Sequence, residues 1–216
     1  MKYGLSIFQI GCLILLGLGL VLPASHPAQA LMSKTLKLSQ QDLADLQRIE
    51  NTLNSLTTMK GRFLQVASSG SYAEGDIYLS RPGKMRLDYD DPNPMLIIAD
   101  GRFLIYHDRQ TKGVTHMFIS MTPASFLLSE NIRFNSDDII ITGFKRSPGV
   151  FEVSMVQADD PLEGSLTMVF SDKPMELRKW AITDSEGIQT SVSLLGPQYG
   201  HQLSPRLFIY EGQPPG

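Results

Sequence analysis

The stretch Arg81-Pro82-Gly83-Lys84-Met85-Arg86-Leu87-Asp88-Tyr89 decides the fold, because it fixes one strand, a tight turn and a second strand. The strand period of two places Arg81 on the same face as Ile77 and Leu79. A cation on an apolar face is unfavourable unless it has partners. The spacing therefore predicts either a polar contact of Arg81 across a cavity or a strand end in water, and it favours neither.

Outward from this unit, short strands separated by turn residues fill most of the chain after Gly61, which is typical of an antiparallel sheet. Tight turns at Arg81-Pro82-Gly83 and Asp100-Gly101 join neighbouring strands. The segment 132–141 is ambiguous between a short helix and an irregular loop. The predicted strands, about ten, are 61–68, 73–80, 84–88, 95–99, 103–106, 114–119, 150–157, 164–171, 176–184 and 187–195.

Two helices are predicted. The first spans 39–59, begins with a capping-box pattern of Ser39 and Asp42, and carries an apolar stripe at steps of three and four. The second, within 122–130, has Pro123 in its first turn, followed by Phe126, Leu127 and Leu128. The apolar stripe of the first helix is Leu43, Leu46, Ile49, Leu53, Leu56 and Met59.

Several strands alternate clearly between apolar and polar residues, which predicts one broad apolar face. Few helices are available to cover that face, and a strongly curved sheet wrapped around them solves the problem. We therefore expect an α+β fold, mainly β, with a single curved antiparallel sheet of about 10–11 strands. It forms an incomplete barrel with helices on its concave apolar side. Periodicity leaves open whether the enclosed space is a filled core or a pocket. The alternating positions include Phe151, Val153 and Met155, then Leu166, Met168 and Phe170, then Trp180 and Ile182.

Residues 1–30 have the pattern of a secretory signal peptide: one charge at Lys2, an apolar run over 5–22, and the cleavage motif Ala28-Gln29-Ala30. A membrane anchor and lipidation at Cys12 are the alternatives. Cleavage after Ala30 removes the one cysteine of the chain, so no disulfide is expected. We expect residues 31–216 to form a single domain.

The charge balance excludes two classes of partner. The chain has 19 Lys and Arg against 22 Asp and Glu, without a basic cluster. Nucleic acid and anionic membrane surfaces are therefore not expected as the main partner. A monomer is expected.

The sequence contains no recognisable catalytic motif, phosphate-binding loop or set of residues with metal-ligand spacing, so we expect no enzyme, cofactor or metal site. His107, His116 and His201 are far apart, and the acidic pairs at 90–91 and 137–138 lie beside turns. Nine methionines follow Met1. Their flexible thioethers suit either variable apolar ligands or irregular gaps in a core. Those on predicted apolar faces are Met85, Met155 and Met168.

A series of motifs occurs in one order over nearly all of the chain after residue 39. They are Phe63-x-Gln65, Gly75-x-x-Tyr78-Leu79-x-Arg81-Pro82-Gly83-Lys84-x-Arg86-x-x-Tyr89, Asp100-Gly101, Pro123 before Phe126-Leu127-Leu128, Asp184-x-x-Gly187-x-x-Thr190, and Leu207-Phe208-Ile209-Tyr210. In this order the chain resembles periplasmic lipoprotein carriers of the LolA type. It departs from that pattern at Leu87, where an aromatic is common, and at His107-Asp108-Arg109, where a proline turn is usual.

The resemblance implies a periplasmic carrier that shelters lipoprotein acyl chains in an apolar cavity and moves lipoproteins from the inner to the outer membrane. By the same resemblance, Arg81 bonds the 123–128 segment as a lid over the sheet. Implied partners are acylated lipoproteins, an inner-membrane ABC-type lipoprotein-releasing transporter, and an outer-membrane acceptor where one is present; no cofactor is implied. The ligand-binding residues expected on this basis are Arg81, Phe63, Ile77, Leu79, Met85, Leu87, Tyr89, Leu46, Leu53, Phe126, Leu127, Met155 and Met168.

Two other functions fit the same sequence. A lipid- or lipoprotein-sensing regulator on the same curved sheet would use the pocket to signal rather than to carry. A structural periplasmic protein would have a closed core and no ligand. Motifs and periodicity leave these alternatives open.

Overall fold

The computed structural model describes residues 36–212, so the predicted signal peptide lies outside the described residues. One long helix, α1 (Gln40–Ser55), precedes the sheet, and a short helix, α2 (Ala124–Leu128), interrupts it. Two 3-10 helices span Ile119–Met121 and Pro205–Phe208. The strands are β1 Thr58–Ala67, β2 Tyr72–Ser80, β3 Lys84–Tyr89, β4 Met95–Asp100, β5 Phe103–Asp108, β6 Val114–Phe118, β7 Ile139–Ser147, β8 Val150–Gln157, β9 Gly164–Asp172, β10 Met175–Asp184 and β11 Gln189–Tyr199.

All eleven strands form one antiparallel sheet in the order β6-β5-β4-β3-β2-β1-β11-β10-β9-β8-β7. Two meanders, β1 to β6 and β7 to β11, meet where β1 pairs with β11. Because β6 and β7 do not pair with each other, the sheet stays open as a half-barrel. This architecture confirms the predicted mainly β, incomplete-barrel fold.

The predicted strands are confirmed to within a few residues at each end, but β7 was not predicted. Its sequence begins with three consecutive isoleucines, and its register shifts between Ile141 and Gly143. A run of apolar residues followed by a bulge hides the period of two on which strand prediction depends.

The predicted helix over 39–59 is too long, because α1 ends at Ser55. Leu56 caps the helix in an extended conformation, and Met59 belongs to β1. In the structure, Met59 is a buried, inward-facing residue of β1. An apolar residue at this position also continues the helical stripe, so the sequence pattern fits both elements.

Helix α1 lies on the concave face of the sheet. The predicted capping box is confirmed, since the Ser39 side chain accepts from the Asp42 N–H and the Asp42 side chain accepts from the Ser39 N–H. Its buried apolar residues are Leu46, Ile49 and Leu53, whereas Leu43 is 48% exposed and does not belong to the buried stripe.

Ion pairs connect the first half of α1 to strands β7 and β9, near one edge of the sheet. The buried Asp45 accepts hydrogen bonds from Arg48 at 2.8 Å and from Arg146 of β7 at 2.6 Å. Arg48 also bonds Asp172 of β9 at 2.7 Å. Burial alone would raise the pKa of Asp45, but the two guanidinium groups hold it below its ordinary value.

Candidate functional site

A cavity of about 430 Å³ lies on the concave face between α2 and the sheet. Apolar side chains from β3, β4, β5, β9, β10, β11 and α2 form most of its wall. A few polar side chains, among them Gln65, Asn93 and Thr190, interrupt the apolar surface. The lining residues are Gln65, Met85, Leu87, Tyr89, Asn93, Met95, Ile97, Leu104, Tyr106, Pro123, Ala124, Leu127, Leu166, Met168, Trp180, Ile182, Thr190 and Val192.

Strand alternation places these residues in the wall. On β3, Met85, Leu87 and Tyr89 are buried and line the cavity, while the intervening residues are only partly buried. Pairing with β4 puts Ile97 directly opposite Leu87 on the same face. The stretch 81–89 therefore supplies one wall of the cavity. Its first residue, Arg81, forms hydrogen bonds to the helix ends.

A polar contact lies within this apolar wall. The Tyr89 hydroxyl donates to the Gln65 side-chain oxygen at 2.6 Å, and the Tyr89 ring meets Phe63 edge to face at 5.0 Å. Burial raises the pKa of Tyr89 to about 12, so the phenol stays neutral at physiological pH. Gly75 permits this packing, because a Cβ there would lie 2.7 Å from a ring carbon of Phe63 and would also clash with the backbone oxygen of Asp88.

Helix α2 covers the cavity, in the position expected for the lid. Leu127 and Ala124 line the cavity, and Leu128 is almost fully buried. Phe126 turns to the other side of α2, where it stacks on Phe134 with ring centroids 5.8 Å apart. The Gly83 N–H donates to the Leu128 carbonyl at 2.8 Å, so the turn between β2 and β3 contacts the end of the lid.

Arg81 joins the same turn to both helices. Its Nη2 donates to the Ser129 carbonyl at 2.6 Å and its Nε donates to the same oxygen at 3.1 Å. Its Nη1 donates to the carbonyls of Leu53 and Leu56 at the end of α1, the latter at 3.3 Å. Two helix C-termini thus share one guanidinium.

Carbonyl groups at helix C-termini lack intrahelical donors and carry partial negative charge, so a guanidinium is a suitable partner for them. Burial lowers the pKa of Arg81, yet an arginine remains protonated at any pH at which proteins fold. Arg81 forms no salt bridge with any carboxylate of residues 36–212. Its acceptors are backbone carbonyls at the ends of α1 and α2 and the carbonyl of Glu130.

Two further spaces flank the helices. One, of about 240 Å³, lies on the other side of α2 and is lined by Phe126 and Met155. Another, of about 410 Å³, lies at the end of α1 and is lined by Leu53. Both adjoin segments that Arg81 bonds.

The expected ligand-binding residues fall into groups. The large cavity is lined by Met85, Leu87, Tyr89, Leu127 and Met168. Phe126, Met155 and Leu53 line the flanking spaces. Four residues, Leu46, Phe63, Ile77 and Leu79, are buried in the core and line none of the three spaces. Arg81 bonds the helices without lining a cavity.

The expected set omitted the cavity residues on β4 and β5, which are Met95, Ile97, Leu104 and Tyr106, and those on β10 and β11. Trp180 and Ile182 on β10, with Thr190 and Val192 on β11, line the cavity, although the sequence already placed Trp180 and Ile182 on one face. Pairing between β10 and β11 brings Trp180 opposite Val192 and Ile182 opposite Thr190. Strand order, which periodicity does not give, decides that this pair of strands faces the lid.

The three histidines within residues 36–212 lie away from the cavity. His107 and His116 flank the Tyr210 ring at 5.3 and 6.2 Å, and His201 is exposed. Within residues 36–212, no group of three or more His, Cys, Asp or Glu could hold a metal ion. In the same part of the chain, no helix combines the length and apolarity needed to cross a bilayer.

Comparison with known proteins gives a family match. The family model described as Outer membrane lipoprotein carrier protein LolA matches residues 54–211. An outer-membrane lipoprotein carrier protein of Pseudomonas paraeruginosa is 28% identical over 185 residues, which cover 81% of this chain and 86% of that protein. The protein of the same description from Methylococcus capsulatus is 27% identical over 185 residues, with 80% and 86% covered. The solved structure of a LolA superfamily protein from Nitrosomonas europaea is 8% identical, with a TM-score of 0.45, covering 76% of this chain and 97% of that one.

Proposed function

Because the chain belongs to the LolA family of outer membrane lipoprotein carrier proteins, we propose that it carries lipoproteins between the two membranes of a bacterial envelope. The family match over residues 54–211 is the observation that carries this proposal. Acyl chains of the cargo enter the space between α2 and the sheet, where the apolar wall replaces water around them. The protein acts as a binding protein, without a catalytic step.

The hydrophobic effect sets the scale of binding. At about 0.8 kcal/mol per buried CH₂, one chain of about sixteen carbons contributes on the order of 12 kcal/mol. Three fully buried chains would exceed the practical ceiling of non-covalent affinity, roughly 20 kcal/mol. A carrier that must release its cargo therefore shelters the chains only in part, or recovers free energy when it closes.

The volume of the cavity supports such competition. A cavity of about 430 Å³ is in the range of pockets that hold one drug-sized ligand, about 300–1,000 Å³. A cargo with several acyl chains is larger than such a ligand and displaces α2. Closure of the lid then competes with the cargo and assists release.

Arg81 is the latch in this proposal. Its hydrogen bonds to Ser129 and to the end of α1 stabilise the closed lid. Entry of acyl chains breaks the contact with Ser129, and release restores it. The free energy of binding is thereby reduced by the free energy of opening, which keeps the complex reversible.

The proposed location is the periplasm, reached through the signal peptide at 1–30 with cleavage after Ala30. An inner-membrane ABC-type transporter would load the carrier and supply the energy, since we expect no nucleotide site in this chain. An outer-membrane acceptor, where one is present, would receive the cargo. The carrier itself works as a monomer.

The proposal is tested by recovering the mature protein from the periplasm and identifying bound molecules by mass spectrometry. We expect a soluble complex with a triacylated lipoprotein. A matched preparation of Thr190→Trp, which places a large side chain in the cavity, should recover less lipoprotein at equal protein yield. Recovery of the wild-type protein without any acylated protein, under conditions that preserve lipoproteins, would contradict the proposal.

A further inference from the structure

The chain that follows α2 is fixed to α1 by two side chains of that helix. The Asn54 side-chain nitrogen donates to the Ile132 carbonyl at 3.0 Å, and the Asn54 side-chain oxygen accepts from the Ile132 N–H at 2.9 Å. One turn earlier in α1, the Glu50 carboxylate accepts from the Phe134 N–H at 2.8 Å. These three hydrogen bonds form the anchor of the lid segment.

The spacing of the two helical residues fits the spacing of their backbone partners. Residues four apart in a helix lie on one face, about 6 Å apart along the axis. In an extended chain, N–H groups two residues apart point the same way and are separated by about 6.6 Å. Ile132 and Phe134 are 1% and 8% exposed, whereas Arg133 between them is exposed, which is the alternation of an extended chain. The anchor therefore matches one turn of α1 to a strand-like stretch.

The anchor lies next to the contacts of Arg81, both along the chain and in space. The Ser129 carbonyl, which accepts from Arg81, is three residues before the anchored Ile132. Arg81 also donates to the Leu53 carbonyl, and Leu53 directly precedes Asn54 in α1. The end of α1 thus bonds the guanidinium and, one residue later, bonds the chain that carries the acceptor of that guanidinium.

We propose that Glu50 and Asn54 are positioning residues for closure of the lid. They hold the chain after α2 in place, so that the Ser129 carbonyl returns to Arg81 when the lid closes. This role rests on the proposed carrier function, in which α2 opens for acyl chains. Neither Glu50 nor Asn54 lines any of the three spaces around the helices. Both therefore act through the backbone of 132–134 and not on the cargo.

The anchor confines the part of the chain that moves on opening. From Ser129 to Ile132 the chain spans at most about 11 Å, so an open lid keeps the Ser129 carbonyl within that distance of the anchor. Before α2, Thr122 is buried and its hydroxyl donates to a carbonyl of the preceding 3-10 helix at 2.8 Å. Opening therefore moves residues 123–131, whereas loss of the anchor frees 123–138, up to the start of β7. A longer free segment closes less favourably and returns its carbonyl to the latch less often.

The double variant Glu50→Ala, Asn54→Ala removes the anchor and is compared in the wild-type and Arg81→Leu backgrounds. The readout is hydrogen exchange at Gly83, whose N–H donates to the Leu128 carbonyl of the closed lid. In the wild-type background this exchange should accelerate about five- to tenfold, where tenfold is the loss of one hydrogen bond to a charged group. In the Arg81→Leu background it should accelerate no more than about twofold, the effect of the longer free segment alone. A merely structural anchor would give equal factors in both backgrounds.

Two matched variants separate the anchor from the surface of the same helix. Asn51→Ala makes an identical substitution on α1, at a side chain that within residues 36–212 bonds only Gln47. It should leave exchange at Gly83 unchanged. Glu50→Gln keeps an oxygen that accepts from the Phe134 N–H, so it should also exchange at the wild-type rate.

Titration with a fluorescent fatty-acid analogue on the same variants adds a second readout. Affinity should rise in the double variant by the same factor as the exchange, because more of the protein is open. If the double variant does not fold, Asn54→Ala alone is compared in the same two backgrounds, with about threefold faster exchange expected over wild type and none over Arg81→Leu. Equal acceleration at Gly83 in both backgrounds, or none in either, would overturn the positioning role. Absence of fatty-acid binding by every variant would instead contradict the carrier function, and the exchange comparison would still decide the role of the anchor.

Discussion

Replacing Arg81 by leucine tests the latch most sharply. The guanidinium donates to the carbonyls of Ser129, Leu53 and Leu56, which belong to two helix ends. A hydrogen bond to a charged group contributes about 1.5–3 kcal/mol when buried, and less when partly exposed as here. Opening of α2 breaks the bonds to Ser129 but not those to Leu53 and Leu56, so we take about 1.5 kcal/mol for the lid. This shifts the equilibrium between closed and open lid by roughly tenfold toward open.

The expected result is tighter binding of an acyl ligand together with slower release. The assay is titration with a fluorescent fatty-acid analogue, followed by transfer to acceptor vesicles. Hydrogen exchange at the amides of Ala124–Leu128 should accelerate, because opening becomes more frequent. Arg81→Lys, which keeps the charge but loses the planar fork, should fall between wild type and Arg81→Leu.

Arg62→Leu is the matched control, since Arg62 is a partly exposed arginine paired with Asp76 and Asp90 rather than with a helix. It should leave ligand affinity and lid exchange unchanged. Unaltered affinity, release and exchange in Arg81→Leu, with the fold intact by circular dichroism, would refute the latch.

Four further predictions concern stability. Met168→Ala, at a fully buried position in the cavity wall, should lower the free energy of unfolding by about 2–5 kcal/mol in urea titration. Gly75→Ala should destabilise by more than about 3 kcal/mol, because its Cβ would lie 2.1 Å from a backbone oxygen of Asp88; failure to lower the thermal midpoint would contradict that packing. Because two arginines hold the pKa of Asp45 below its ordinary 3.8 despite burial, its stabilisation is complete above that pH and is lost as the pH falls further. Asp45→Asn should flatten this acid dependence, and an unchanged slope of stability against pH would show that the ion pairs contribute nothing. Burial raises the pKa of Tyr89 to about 12. The contribution of the neutral phenol to the free energy of unfolding is therefore present below about pH 10 and is lost as the pH rises through about 12. Spectroscopic titration of wild type and Tyr89→Phe measures this pKa.

Much of the fold follows from local pattern. The turn at 81–83 and the alternation at Met85, Leu87 and Tyr89 gave the correct strands and the correct inward face. The segment 139–147 shows where this fails. Three isoleucines and a bulge have no clear period, so pairing with β8, a tertiary contact, makes it a strand. The prediction of the end of α1 failed for the opposite reason, because Met59 satisfies both the helical and the strand period.

The candidate site was less accessible from sequence. An inward-facing residue can line a cavity or pack in a core, and the choice depends on where the helices lie. Ile77 and Leu79 share the face of the cavity wall but are buried in the core. Trp180 and Ile182 have the same alternation and line the cavity instead. Both pairs are apolar and have the same period, so the position of α1 and α2 separates the two outcomes.

For Arg81, the family resemblance indicated a hydrogen bond to a helix, which the strand period alone did not. Spacing gave two alternatives, a polar contact or a solvated strand end. The structure has the polar contact, with carbonyl acceptors from α1 and from the end of α2. Neither acceptor segment adjoins Arg81 in sequence, so a pattern within one strand could not identify them.

Depletion of the protein in its own host tests the carrier function most directly. Membranes are separated by density, and the distribution of an outer-membrane lipoprotein is measured as the protein is lost. We expect the lipoprotein to accumulate in the inner membrane. Wild-type protein should restore its distribution, and a cavity-filling variant should not. An unchanged distribution after depletion would contradict the carrier function, and a changed stress response without mislocalised lipoprotein would indicate a regulator instead.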